Sequence, residues 1–105
     1  MRRGEIWWAN LPLPIGRRPV LLLSRNAAYK VRASVTVGAI THTERGIPVE
    51  VPLDKSDGMP KACVVNLDNI LTIPKSTLSE QITALSQEKM TQVNQAVVFA
   101  LDLQA

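Results

Sequence analysis

This chain of 105 residues has little of several residue types on which whole protein classes depend. Its single cysteine excludes an internal disulfide framework and is compatible with a cytoplasmic protein. One histidine beside one cysteine argues against a structural zinc site. No apolar run approaches the ~20 residues that a membrane-spanning helix needs, so we expect no membrane association.

What the chain does have is enough apolar residues for one core. Its hydrophobic content is 46%, which is ordinary for a globular protein and too high for a disordered one. The sequence contains no repeat, linker or low-complexity tract. We therefore expect one domain over residues 1–105.

Positive charge is concentrated in the first part of the chain. Residues 1–45 hold eight Arg and Lys against two Glu, a net +6, whereas residues 46–105 hold four Lys against seven acidic residues, a net −3. Every arginine lies in the first part, and arginine suits bidentate contact with phosphate. A basic half is the usual footprint of a nucleic-acid-binding protein, the alternative being a solvated surface of mixed sign with salt bridges to a partner.

Short apolar segments separated by turn residues predict a series of strands followed by one helix. The expected strands cover residues 5–11, 20–24, 34–41, 49–53, 62–67, 70–73 and 82–85. Apolar residues at helical spacing (Met90, Val93, Val97) predict an amphipathic helix from an N-cap at Ser86 to about Leu103. This pattern predicts a mainly β (α+β) fold, a small barrel of strongly bent antiparallel strands with a C-terminal helix packed on it.

Alternation along the strands predicts which side chains are buried. Trp7 and Trp8 should face opposite sides of the first strand, so we expect one in the core. The other belongs in an interface or, as the alternative, against nucleic-acid bases. In residues 49–53 the apolar side chains alternate with Glu50 and Pro52, which should therefore lie on the other face.

Two adjacent arginines precede the apolar run of the second strand, in the segment GRRPVLLLSR at residues 16–25. Pro19 fixes its own φ and biases Arg18 toward an extended conformation. Since the run behind it can form a buried strand, Arg17 and Arg18 are held at the end of a rigid element. Two guanidinium groups in that position suit phosphate.

Four motifs, in this order along the chain, resemble those of the MazF/PemK-type toxins. They are RGEIWWANL at residues 3–11, RPVLLLS at 18–24, AIT at 39–41, and VVNLDNI followed by TI over 64–73. The closing segment 85–101 resembles the C-terminal helix of that family. The resemblance therefore covers nearly the whole chain.

The resemblance implies the SH3-like barrel shared by MazF, Kid and CcdB, and a homodimer. It implies the toxin half of a type II toxin–antitoxin pair, silenced by a MazE-like or other antitoxin with a disordered C-terminal tail. The implied activity is sequence-selective cleavage of single-stranded mRNA without a metal ion or other cofactor. The ribose 2′-OH then attacks the adjacent phosphorus and leaves 2′,3′-cyclic phosphate and 5′-OH ends.

By motif, Arg18 matches the catalytic arginine of the family and Thr41 matches its second catalytic residue. The permanent charge of Arg18 suits the phosphoryl oxygens, and the Thr41 hydroxyl can hydrogen-bond such an oxygen or orient the 2′-OH. Without the motifs, Arg18 could equally form a salt bridge at the rim and Thr41 could simply be a good strand former.

The general base stays open at this point. Arginine is effectively never deprotonated, so Arg18 is a poor candidate. Histidine is the residue type most often used as a general base, but His42 follows Thr41 on a strand, where neighbours point to opposite faces. His42 is therefore a possible base, with an exposed strand-end residue or an RNA contact as the alternative.

Four further residues are candidates for RNA binding. We expect Arg17 to contact a neighbouring phosphate, and Thr43, Asn66 and Asn69 to read base edges. The alternative for these three is a polar side chain that faces water.

Two positions depart from the family pattern: Cys63 stands where serine is common, and Leu71 where a basic residue is common. Two other functions compete with the nuclease. One is a CcdB-like gyrase-binding toxin without nuclease activity, and the other is a non-catalytic SH3-like module that binds nucleic acid. The pair of Arg18 and Thr41 favours the nuclease.

Overall fold

The fold comprises six strands and two helices in residues 1–103, which are the residues that the computed structural model describes. In chain order they are β1 (Glu5–Asn10), β2 (Arg17–Leu22), α1 (Ala28–Val31), β3 (Ser34–Thr41), β4 (Glu50–Leu53), β5 (Cys63–Pro74), β6 (Leu78–Ala84) and α2 (Gln87–Ala100). All strand pairs are antiparallel in one sheet of order β4-β5-β3-β2-β1-β6. The predicted mainly β fold with a C-terminal helix is confirmed; residues 104 and 105 of the expected domain lie outside the described residues.

The curled sheet buries apolar side chains on both of its faces. Between the sheet and α2 the core includes Ile6, Leu21, Val65 and Leu67 from the strands and Val93 from the helix. On the opposite face a second cluster includes Val20, Leu22, Val35, Val37 and Tyr29. Because the central residues of β2 and β3 are buried on both faces of the sheet, packing fixes these strands, and their ends can position functional side chains.

One long strand replaces the two short strands expected at 62–67 and 70–73. The pairing of β5 with β3 passes directly from Ala39↔Asn66 to Gly38↔Ile70, so residues 67–69 have no partner in β3. These extra residues form a bulge, which bends the strand without ending it. The predicted break between residues 67 and 70 is therefore wrong.

Several element boundaries also differ from the sequence prediction. Strand β2 begins at Arg17, because its first residues pair with β1 ahead of the apolar run. Strand β6 begins four residues early, at Leu78. Helix α2 is capped by Ser86 as predicted, but it ends at Ala100, shortly before Asp102 adopts a left-handed φ of 53°. No helix within residues 1–103 is long and apolar enough to cross a membrane.

Candidate active site

Arg18 and Thr41 lie at the ends of adjacent strands and line one cavity. The β2–β3 register includes Val20↔Ala39, and extending it by two residues places Arg18 opposite Thr41 on the same face of the sheet. The cavity that they line, the first cavity, has a volume of about 480 Å³. Its other lining residues are mostly apolar: Leu11, Pro14, Ile15, Pro19, Val20, Ala39, Ile40, Asn69 and Leu71.

Arg18 is exposed and oriented by a single backbone contact. Its Nε donates to the carbonyl oxygen of Ile15 at 3.2 Å, in the loop between β1 and β2. That loop is closed by a hydrogen bond from the Leu11 amide to the Gly16 carbonyl at 3.0 Å. In the described part of the chain the terminal nitrogens of Arg18 have neither a hydrogen bond nor an ion pair. They are therefore free for a phosphate, and the salt-bridge alternative lacks a partner there.

Thr41 is half-buried at the last position of β3. Its Oγ1 accepts a hydrogen bond from the backbone amide of Thr43 at 3.3 Å. The hydroxyl proton remains available for a ligand in the first cavity, because a hydroxyl both donates and accepts. Thr43 itself is exposed and lines neither this cavity nor the next one described.

His42 faces a different cavity from Thr41. This second cavity, of about 390 Å³, is lined by Trp8, Arg17, Arg18, Pro19, His42, Met59, Pro60, Lys61, Cys63 and Ile82. The Nδ1 atom of His42 lies 3.2 Å from the carbonyl oxygen of Ala62. The opposite orientation of neighbours on a strand, expected from the sequence, thus separates His42 from Thr41, and this geometry does not support His42 as the base.

The two tryptophans of β1 have different environments. Trp7 packs against the second core cluster, and its Nε1 donates to Glu5 Oε1 at 2.9 Å. Trp8 lines the second cavity, where the guanidinium carbon of Arg17 lies 4.4 Å from its ring centroid. This is cation–π geometry. Arg17 also has Glu80 at 3.9 Å, an exposed pair that adds little energy.

Glu50 is a buried structural residue of the site region. Alternation separated it from the apolar side chains of residues 49–53 but did not predict its burial, and it is only 9% exposed. Its Oε1 accepts hydrogen bonds from the amides of Arg45 at 2.8 Å and Gly46 at 3.0 Å, while its Oε2 has no partner within residues 1–103. Glu50 therefore anchors the loop of residues 42–49, which follows Thr41.

The two asparagines predicted to read bases separate in the structure. Asn69 is exposed and lines the first cavity. Asn66 is buried, and its Oδ1 accepts the Asp68 amide at 2.9 Å within the β5 bulge. It lines neither cavity, because the bulge uses its side chain internally.

The two departures from the family motifs also occupy different cavities. Cys63 is buried in the wall of the second cavity, and burial raises the pKa of its thiol. Leu71 lines the first cavity and is 39% exposed.

The electrostatics of both cavities favour an anion. The charged side chains that line them are all basic: Arg17, Arg18 and Lys61. Within the described range, no group of three or more His, Cys, Asp or Glu is arranged to hold a metal ion. This arrangement can bind phosphates along a strand of nucleic acid and stabilise charge on one of them.

Comparison with known proteins relates this chain to a group of bacterial toxins. A family model described as the PemK-like, MazF-like toxin of type II toxin–antitoxin system matches residues 2–101. Probable endoribonuclease MazF2 of Mycobacterium tuberculosis strain H37Rv is 40% identical over 98 residues, which cover 92% of this chain and 94% of the relative. Endoribonuclease MazF of Staphylococcus saprophyticus is 36% identical over 112 residues, which cover 98% and 92%.

Solved structures give the same result for the fold. The Mycobacterium tuberculosis toxin MazF-mt6 superimposes with a TM-score of 0.88 and 37% identity, over 96% of this chain and 99% of that one. A mycobacterial endoribonuclease in complex with its cognate antitoxin superimposes with a TM-score of 0.88 and 31% identity, over 100% and 98%. The barrel fold expected from the motifs is confirmed.

Proposed function

The chain belongs to the PemK-like, MazF-like family of toxins of type II toxin–antitoxin systems, and we propose that it is a cytoplasmic endoribonuclease that cleaves single-stranded mRNA. The observation that carries this proposal is the first cavity, where Arg18 and Thr41 lie together at the ends of β2 and β3. The relatives that match over 92% or more of the chain are named endoribonucleases, which favours the nuclease over a CcdB-like gyrase-binding toxin.

In the proposed reaction the ribose 2′-OH is the nucleophile. It attacks the adjacent phosphorus, the bond to the 5′-oxygen breaks, and the products carry a 2′,3′-cyclic phosphate and a 5′-OH. Arg18 stabilises the charge that builds up on the phosphoryl oxygens and hydrogen-bonds toward the leaving oxygen. Thr41 hydrogen-bonds a phosphoryl oxygen or orients the 2′-OH.

Two protons move in this reaction. The 2′-OH proton goes to a base other than Arg18, because a guanidinium is not deprotonated in proteins. The leaving 5′-oxygen gains a proton from a general acid or from water. No step of this scheme requires a metal ion or other cofactor.

The RNA strand is positioned by residues in and beside the two cavities. We assign a neighbouring phosphate to Arg17, and base-edge contacts to Asn69 in the cavity wall and to Thr43 beside Thr41. Asn66 is omitted from these contacts because it is buried and its oxygen is already bonded.

We further propose that the toxin acts as a homodimer and is silenced by an antitoxin with a disordered C-terminal tail. A structurally similar mycobacterial endoribonuclease was solved with its cognate antitoxin. This chain exposes apolar side chains that partners would cover, among them Leu13, which is 88% exposed, and Phe99, which is 61% exposed.

The direct test is to incubate the purified protein with a defined RNA in EDTA and to map the new 5′ ends. We expect cuts at a recurring short sequence, with 5′-OH ends and an unchanged rate in EDTA. A requirement for added magnesium, or 5′-phosphate ends, would overturn the mechanism. An Arg18→Ala variant purified in parallel controls for a contaminating nuclease.

A further inference from the structure

The second cavity has features that the proposed chemistry does not use. It lies on the face of β2 opposite the Thr41 hydroxyl, yet Arg18 and Pro19 line both cavities. Neighbours on an extended strand point to opposite faces, and of these two arginines Arg17 lines the second cavity alone, whereas Arg18 lies at the edge that both cavities share. A single-stranded nucleic acid that crosses this end therefore meets a cation on each side.

We propose that the second cavity is a subsite for a nucleotide flanking the one that is cut. Its phosphate would be held by Arg17 and Lys61, and its base would stack on the pair of Arg17 and Trp8. This inference rests on the proposed endoribonuclease function and adds to it a second recognition site in the RNA.

The wall of the second cavity has the chemistry of a nucleotide site. The guanidinium carbon of Arg17 lies over the Trp8 ring, 4.4 Å from its centroid, and we call this stacked pair the platform. Bases stack on aromatic rings and on guanidinium planes alike. The floor is apolar, with Met59 4% exposed and Cys63 5% exposed. A flat base would lie between this floor and the platform.

The charge of the second cavity fits a phosphate. Lys61 is exposed and has no ion pair in the part of the chain that the structure describes. The Glu80 carboxylate, 3.9 Å from Arg17, is exposed and outside the cavity wall, so a phosphate can replace it at little cost. An acidic peptide would also satisfy these cations, but it would not use the platform, and for this reason we favour the nucleotide.

The test compares RNAs of different length on matched variants. Once the cut is mapped, RNAs that lack the 2′-OH at the cut are made with all flanking nucleotides or shortened by one nucleotide at a time from each end. We expect wild-type protein to lose about 5- to 100-fold in affinity when the nucleotide that occupies the subsite is removed. Trp8→Leu should bind the long RNA about 5- to 100-fold more weakly than the wild type does. Its affinity should not fall further when that nucleotide is removed.

Three further variants separate stacking from charge and provide a control. Trp8→Phe keeps a ring and should restore most of the length dependence. Lys61→Gln, at an exposed position, should lower the salt slope of binding by about one. Lys30→Gln, on α1 and in neither cavity, is the matched control and should leave the length dependence unchanged.

Three outcomes would overturn the subsite. One is an equal effect of shortening on wild type and on Trp8→Leu. Another is an affinity of the wild type that does not depend on RNA length, although the protein cleaves RNA; this result removes the subsite and leaves the proposed function intact. The third is that the wild type binds poly-glutamate and that Trp8→Leu and Lys61→Gln both abolish this binding without changing the affinity for RNA. The cavity would then be a site for acidic peptides.

Discussion

The two cavities on either side of the β2 end differ in what they offer a ligand. The first has mostly apolar walls with one guanidinium and one hydroxyl, from Arg18 and Thr41, directed at the same space. The second has a cation–π pair of Arg17 and Trp8, and a Lys61 without an ion pair among residues 1–103. We therefore propose that two adjacent residues of one strand have different tasks, chemistry for Arg18 and binding for Arg17.

The largest expected effect is on the first cavity, from Arg18→Ala. Cleavage should fall about 10³-fold, because the charge on the phosphoryl oxygens loses its main stabilising group. Thermal stability should not change, since Arg18 is exposed and makes one side-chain hydrogen bond, to Ile15. Single-turnover rates and a melting curve measure both quantities. Arg25→Ala, an exposed arginine in neither cavity, should keep its activity; equal losses in the two variants would mean that only net charge matters.

Thr41→Val removes the hydroxyl and keeps the shape of the side chain. The cleavage rate should fall about 10²-fold with little change in RNA affinity, because the hydroxyl acts on the reacting phosphate. Thr36→Val, on the same strand but in neither cavity, is the control. If the two variants cleave RNA at the same rate, Thr41 is only a strand former.

Glu50 tests whether the loop of residues 42–49 must be held in place. Glu50→Ala removes the acceptor of the Arg45 and Gly46 amides and should lower the free energy of unfolding by about 1–3 kcal/mol. Glu50→Gln keeps an acceptor and should lose less. Urea denaturation measures the difference, and hydrogen exchange should quicken at these two amides in Glu50→Ala alone. Equal destabilisation by both variants would show that the carboxylate charge, and not the acceptor, is what matters.

His42→Gln should have the smallest effect. Since His42 lines the second cavity, the cleavage rate should change by less than about threefold, against at least about 10²-fold for the loss of a general base. The pH profile of the rate should keep its shape. A large loss accompanied by the disappearance of one limb of that profile would identify His42 as the base.

The sequence predicted well what depends on local pattern. It placed β3 at its observed bounds and the cap of α2 at Ser86, and it brought together Arg18 and Thr41, which line one cavity. These follow from β-branched runs, capping chemistry and motifs whose residues lie close to the strand ends.

What the sequence did not predict depends on pairing between distant segments. The β5 bulge forms because β3 pairs with both halves of β5. Asn66 is buried at this bulge. Glu50 is buried because the loop before it presents two amides to its carboxylate. Neither arrangement can be read from alternation, which treats each strand by itself.

The most direct test of the central claim is an RNA in which only the nucleotide before the cut lacks its 2′-OH. We predict that the wild-type protein binds this RNA with an unchanged Kd and does not cleave that bond. Cleavage of the deoxy bond at the normal rate would contradict the account, because the nucleophile would then be water, and Arg18 and Thr41 would have to serve a different reaction.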